Sequence, residues 1–157
     1  MLSAEAFKKI DHELTKYPAE RRQAAVMAAL HIAQEEKGWL SKETITEVAQ
    51  YLGIPDIAAL EVASFYTMYE TAPVGKFKIT VCTNISCMLR DSQKIVDHLE
   101  KRLGIGFNET TADGKFTLKE GECMGTCGGA PLFHINNSRM CEFLTPEKVD
   151  EILEDLK

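Results

Sequence analysis

A chain of 157 residues with 45% hydrophobic and 27% charged side chains has the composition of a folded protein, which argues against intrinsic disorder. Its 24 acidic residues outnumber its 18 basic residues, and the net charge of −6 argues against nucleic acid as a partner, because phosphate contacts require a basic face. An acidic surface also disfavours binding to anionic lipid.

The N-terminal segment lacks the apolar stretch of a signal peptide. The longest apolar run lies at about residues 24–30 and is far shorter than the roughly 20 residues that span a bilayer. These features predict a cytoplasmic protein that is linked to a membrane only through its partners.

Apolar residues at helical spacing dominate the first half of the chain and predict a small helical bundle over residues 1–72. Helices are expected over residues 4–16, over residues 20–37, from Ser41 to about Leu52, and from Pro55 onward.

The pattern changes after residue 72. Phe77, Ile79 and Val81 alternate with other residues, which predicts a strand with one buried face. A helix capped by Asp91, a strand at residues 116–118, a hairpin of residues 132–135 and 140–143 and a final helix from Thr145 follow. We therefore expect an α+β or α/β chain, in which a domain with a small mixed β-sheet flanked by helices occupies residues 73–157.

Four of the five cysteines form two closely spaced pairs. Four residues separate Cys82 from Cys87, and three separate Cys123 from Cys127. Each pair is expected in a loop after a predicted strand, and two such loops at one sheet edge can bring four thiolates together. Clustered cysteines in a reducing compartment bind metal or do redox chemistry more often than they form disulfides.

The spacing of the pairs leaves two interpretations open. A 2Fe–2S cluster needs four thiolates, two on each iron, and these loops leave room for it. Structural zinc sites favour tighter C-x2-C pairs but tolerate wider ones. A dithiol of the thioredoxin type requires C-x-x-C, which neither pair has. Spacing therefore favours iron–sulfur over zinc without excluding zinc, and Cys141, alone in a predicted strand, is interpreted as a small buried residue.

The two cysteine segments, VCTNISC at residues 81–87 and ECMGTCGGAP at residues 122–131, resemble the thioredoxin-like 2Fe–2S ferredoxin family. Together with EVASFYTMY at residues 61–69 and LTPEKV at residues 144–149, they are similar to the E subunits of bacterial NADH–quinone oxidoreductase, respiratory complex I. The resemblance covers nearly the whole chain. It implies a thioredoxin-like fold for the second half and one 2Fe–2S cluster with Cys82, Cys87, Cys123 and Cys127 as ligands.

The same resemblance implies an electron-transfer subunit without a catalytic site of its own. FMN and NADH are expected on a partner flavoprotein, against which the N-terminal helices pack, and a larger iron–sulfur subunit is the next expected partner. Consistent with this, no G-x-G-x-x-G follows a predicted strand, since Gly104-Ile105-Gly106 follows a helix. The complex is expected to hold the chain on the cytoplasmic side of the inner membrane without direct insertion.

Two alternatives stay open at this point. Similar chains occur in NAD-linked hydrogenases and formate dehydrogenases, so the same cluster subunit can belong to a different enzyme. A zinc-stabilised interaction module without redox activity is the more distant alternative.

Overall fold

The computed structural model describes residues 1–156, which separate into two compact units, one spanning Met1–Pro73 and one beginning at Val74. Each unit has its own apolar core. Among the described residues, no helix is both long and apolar enough to cross a bilayer.

Between Met1 and Pro73 the chain forms four α-helices, α1 (Ala4–Leu14), α2 (Val26–Lys37), α3 (Lys42–Leu52) and α4 (Asp56–Phe65). The hydroxyl groups of Ser3 and Ser41 accept hydrogen bonds from backbone N–H groups and cap α1 and α3. The core of this unit contains several fully buried side chains, among them Ile10, Leu30, Leu40, Val48 and Leu52. The predicted helical bundle is confirmed.

The prediction of one continuous helix over residues 20–37 is wrong in its first part. A 3-10 segment occupies Ala19–Ala25, Arg21 leaves the helical conformation at φ −111° and ψ 34°, and α2 begins only at Val26. The Arg22 guanidinium donates hydrogen bonds to the carbonyl oxygens of Tyr51 at 2.9 Å and Leu52 at 3.2 Å. Carbonyls in the last turn of α3 lack partners within their own helix, and Arg22 satisfies two of them from a distant part of the chain, a contact that helical spacing does not reveal.

In residues 74–156 the chain forms a four-stranded mixed sheet in the order β2–β1–β3–β4. The strands are β1 (Phe77–Cys82), β2 (Phe116–Gly121), β3 (Phe133–Ile135) and β4 (Arg139–Cys141). Strand β1 pairs in parallel with β2 and antiparallel with β3, and β3 and β4 form the predicted hairpin.

Three α-helices accompany this sheet in residues 74–156, namely α5 (Ile85–Met88), α6 (Ser92–Leu103) and α7 (Pro146–Asp155), together with a 3-10 turn at Cys127–Gly129. Side chains of α6 and α7 share one core with the sheet, including Ile79, Leu118, Phe133, Leu99 and Val149. The predicted α+β, thioredoxin-like arrangement of a small mixed sheet flanked by helices is confirmed, and α5 is an additional element.

Strand β1 differs from the prediction of one buried face. Lys78 and Thr80, on the face opposite Ile79 and Val81, are only 4% and 9% exposed. Strand β1 lies between β2 and β3, so Lys78 has Thr117 of β2 beside it, and Thr80 lies between Lys119 of β2 and His134 of β3. A polar side chain with a neighbour on each side loses most of its access to solvent, which alternation along a single strand does not reveal.

Candidate metal centre

Both cysteine pairs begin at one edge of the sheet. Cys82 is the last residue of β1, and it lies opposite Gly121, the last residue of β2. Because the two strands run parallel, the chain leaves both at the same edge. The Thr83 N–H donates to the Gly121 carbonyl at 3.1 Å and holds the two departing segments together. The chain segments that carry the two cysteine pairs therefore leave the sheet at the same edge.

Cys82 and Cys87 form a buried pair of thiols, 3% and 1% exposed, packed with Ala130 and Leu132. The pKa of the Cys87 thiol is raised to about 11, mainly because the thiol is buried. The neighbouring Cys82 and Cys127 thiols raise this pKa further. Cys87 is therefore protonated at neutral pH in the free protein. A metal that binds its sulfur must displace that proton.

The segment between Cys82 and Cys87 is not the predicted slack loop. It contains α5, a single helical turn that includes Cys87, closed by a hydrogen bond from the Met88 N–H to the Asn84 carbonyl at 2.9 Å. One helical turn shortens the chain, which brings the two thiols close enough to interact. The turn also leaves Ile85 and Leu89 68% and 80% exposed.

Cys123 and Cys127 are exposed, in contrast to the first pair. Gly125 lies between them at φ +72°, a left-handed conformation that glycine adopts at little cost. In this conformation its N–H donates to the Sγ of Cys123 at 3.4 Å. Backbone N–H groups directed at sulfur are a feature of iron–sulfur sites, where they stabilise the negative charge.

A carboxylate lies at the same sheet edge. The Thr83 hydroxyl donates to Oε1 of Glu120 at 2.8 Å, which fixes a negative charge beside the end of β1. The groups near the cysteines would thus make opposing contributions to the reduction potential of a bound cluster, because a nearby carboxylate disfavours reduction and an N–H donor favours it.

The donor set fits a dinuclear cluster. Within the part of the chain that the structure describes, no three His, Cys, Asp or Glu side chains converge closely enough to hold one metal ion. A 2Fe–2S cluster makes a different demand, because it spreads four thiolates over two irons. Two thiol pairs that follow the ends of adjacent parallel strands, with Cys127 near Cys87, match that demand in the number and type of ligands.

Cys141 belongs to different surroundings. It lies on β4 opposite Phe133 and is part of the core shared by the sheet with α6 and α7. Burial raises the pKa of its thiol. As predicted, Cys141 is buried.

Sequence reasoning missed the role of Met124. It treated this residue as part of a slack loop, but the side chain packs against Cys82, Cys87, Ala130 and Leu132. The available signal was that Met124 is the one large apolar residue between the second pair of cysteines.

Comparison with known proteins gives consistent matches. The family model for the thioredoxin-like 2Fe-2S ferredoxins matches residues 10–157. The chain is 36% identical over 148 residues to NADH-quinone oxidoreductase subunit 2 of Thermus thermophilus, covering 94% of this chain and 82% of that protein. It is 43% identical over 145 residues to the E subunit of NADH-quinone oxidoreductase from Rickettsia conorii, covering 92% of this chain and 86% of that protein.

A solved structure of similar fold is the NAD+-reducing NiFe-hydrogenase in the air-oxidized state. The TM-score is 0.69 at 21% identity, over 81% of this chain and 22% of the hydrogenase chain. At this identity the likeness shows a shared fold.

Proposed function

The chain belongs to the thioredoxin-like 2Fe–2S ferredoxin family, and from this premise we propose that Cys82, Cys87, Cys123 and Cys127 are the ligands of one 2Fe–2S cluster. Membership of the family implies the cluster itself. The observation that carries the ligand assignment is that both pairs leave the same edge of the parallel strands β1 and β2, whereas Cys141 lies in a different core.

The chain is the 2Fe–2S subunit of an NADH–quinone oxidoreductase, a component of that enzyme that transfers electrons. The support is the 36% and 43% identity to subunits of this enzyme over more than nine-tenths of the chain. The hydrogenase likeness concerns the fold alone and therefore does not favour a hydrogenase as the parent enzyme.

When bound, the 2Fe–2S cluster accepts and releases one electron at a time. The chain's own residues set the conditions for this chemistry. Cys82 and Cys87, buried with Leu132 beside them, would hold one side of the cluster away from water. The Gly125 N–H stabilises charge on the Cys123 sulfur, and the exposed second pair leaves that side open to a redox partner.

We propose a flavoprotein subunit that binds FMN and NADH as the immediate redox partner, and a larger iron–sulfur subunit as the next. Support for a docking partner near the cysteines comes from α5 and its C-cap Leu89, because Ile85, Met88 and Leu89 are 68%, 56% and 80% exposed beside Cys87. Three exposed apolar side chains on one turn favour burial against another protein. In this proposal the complex holds the chain on the cytoplasmic side of the inner membrane.

The test is anaerobic purification of the chain, followed by iron, zinc and acid-labile sulfide analysis and by EPR after dithionite reduction. We expect iron and sulfide in equal amounts and a spin-½ signal from the reduced iron pair. Zinc without sulfide would overturn the proposed function.

A further inference from the structure

A close contact between Gly121 and Met124 lies beside the buried thiols. A Cβ at residue 121 would overlap the Cε methyl of Met124 and would lie 2.9 Å from the Cγ2 methyl of Thr80. The Met124 methyl therefore occupies the space that a side chain at residue 121 would take.

This contact sets where Met124 lies. Gly121 is opposite Cys82 in the register of β1 and β2, so a methyl seated on Gly121 is held at the strand end where Cys82 is found. From there the Met124 side chain packs against Cys82, Cys87, Ala130 and Leu132 while remaining partly exposed itself. A side chain that is partly exposed and also packs against this cluster can shield the buried thiol pair from water.

We propose that Met124 is a positioning residue that closes the buried side of the cluster site to water, and that glycine at residue 121 is required to seat it. The proposal rests on the ligand assignment made above. Reduction adds negative charge to an already anionic cluster, and exclusion of water disfavours that charge. Met124 thus lowers the reduction potential and slows the entry of small reagents.

Two substitutions disturb this contact in different ways. Met124→Ala removes the side chain, and Gly121→Ala displaces it. The displaced atom is the end of a flexible side chain, so Gly121→Ala is expected to move Met124 at small cost to the fold. Gly128→Ala is the matched control, because a Cβ there meets no atom within 4 Å although residue 128 adjoins Cys127.

The reduction potential is measured by EPR-monitored redox titration, and access is measured as the rate at which an iron chelator bleaches the visible absorbance. We expect a higher potential and faster bleaching for Met124→Ala and for Gly121→Ala, with Gly128→Ala unchanged. Wild-type potential and bleaching in Met124→Ala at normal cluster content would overturn the proposal.

A variant that carries both Met124→Ala and Gly121→Ala shows whether Gly121 acts through Met124 or through Thr80. Once Met124 is alanine, a Cβ at residue 121 no longer displaces the thioether, so Gly121→Ala should add little further change. Fully additive effects would mean that Gly121 acts through Thr80, and would overturn the seating role.

Failure of the proposal is distinguishable from failure of the proposed function. A wild-type chain that holds no 2Fe–2S cluster contradicts the function itself. A second measurement tests the shielding role without the cluster. In the reduced, cluster-free chain, iodoacetamide should alkylate Cys82 and Cys87 faster in Met124→Ala and in Gly121→Ala than in the wild type. Alkylation of Cys141, measured by peptide mass spectrometry in the same samples, is the internal reference, and unchanged rates at Cys82 and Cys87 contradict the shielding role.

Discussion

At the scale of single residues, the five cysteines differ in their surroundings. Cys82 and Cys87 are buried among a few apolar side chains at the sheet edge, Cys123 and Cys127 are exposed, and Cys141 is part of the main core of its unit. The ligand assignment therefore predicts different outcomes for substitutions at Cys123 and Cys141.

Cys123→Ser is expected to lose most of its cluster, because a serine oxygen is a poorer ligand for iron than a thiolate. Cys141→Ser is expected to keep a full cluster but to unfold more easily, by about 1–3 kcal/mol, because it buries a hydroxyl among apolar groups. Iron and sulfide content and denaturant unfolding check both results. A colourless Cys141→Ser variant beside a red-brown Cys123→Ser variant would contradict the assignment.

The sequence shows which cysteines form pairs, but it does not show that the first pair is buried. Spacing shows that Cys82 and Cys87 belong together. Their exclusion from solvent depends on Ala130 and Leu132, which are more than forty residues away in the chain. These residues reach the first pair only when the sheet has folded, so no local sequence pattern predicts that the pair is buried.

At the scale of elements, the starts of helices were predicted well where a hydroxyl provides the cap and less well at Asp91. Ser41 and Thr145 cap α3 and α7 through their side chains, as predicted. Asp91 stands at the start of α6 but makes no capping hydrogen bond, because its backbone is left-handed at φ 65°. Its carboxylate pairs instead with Lys94 at 3.1 Å.

The start of α1 is attached to α2 by a carboxylate. Glu36 accepts hydrogen bonds from the Ser3 hydroxyl at 2.6 Å and from the Ser3 N–H at 3.1 Å, and it pairs with Lys37 at 2.8 Å. The hydrogen bond with Lys37, followed by those with Ser3, lowers the pKa of Glu36 from 4.5 to about 2. A carboxylate whose pKa is lower in the folded state stabilises that state above the unfolded pKa.

We therefore expect Glu36→Gln to lower the free energy of unfolding at neutral pH. The difference from the wild type should shrink as the pH falls from about 4.5 towards about 2. The effect should be small, because the carboxylate is solvent-accessible. Urea denaturation over this pH range measures it, with Glu35→Gln as the control, since Glu35 faces His31 at 3.4 Å instead of Ser3. An equal loss in both variants would contradict a specific role for Glu36.

The exposed turn α5 gives a prediction about assembly. Leu89→Glu is expected to weaken binding to the flavoprotein subunit by at least tenfold while cluster content stays normal, because a buried unpaired charge costs more than about 1.4 kcal/mol. Leu89→Met keeps the side chain apolar and is the control. Copurification and titration calorimetry measure the binding, and unchanged affinity of Leu89→Glu would exclude α5 from the interface.

At the scale of the whole molecule, each of the two described units has its own main core, and all of the proposed ligands lie in the unit that begins at Val74. Alternation and turn residues predicted the strands, yet they did not predict that β1 is central and pairs in parallel with β2. Strands of similar sequence pattern can pair in several orders, and tertiary packing determines which order forms. The observed order also brings the two cysteine pairs to one edge of the sheet.

A cluster bound by the second unit should stabilise that unit selectively. On removal of the cluster, amide hydrogen exchange should accelerate in β1, α5 and the segment after β2. Helices α1 to α4 should keep their protection, because their core is separate. Mass-spectrometric exchange on the holo and cluster-free chains tests this. Equal loss of protection in both units would show that they unfold together.

The parallel pairing of β1 with β2 also fixes an order of events during biogenesis. The two strands are separated by α5 and α6, so Cys82 and Cys123 meet only after this crossover has been synthesised and packed. A nascent chain emerging from the ribosome therefore presents at first only half of the ligand set. Binding of one cluster by all four proposed ligands therefore requires that the crossover through α5 and α6 has been synthesised and that β1 and β2 have paired.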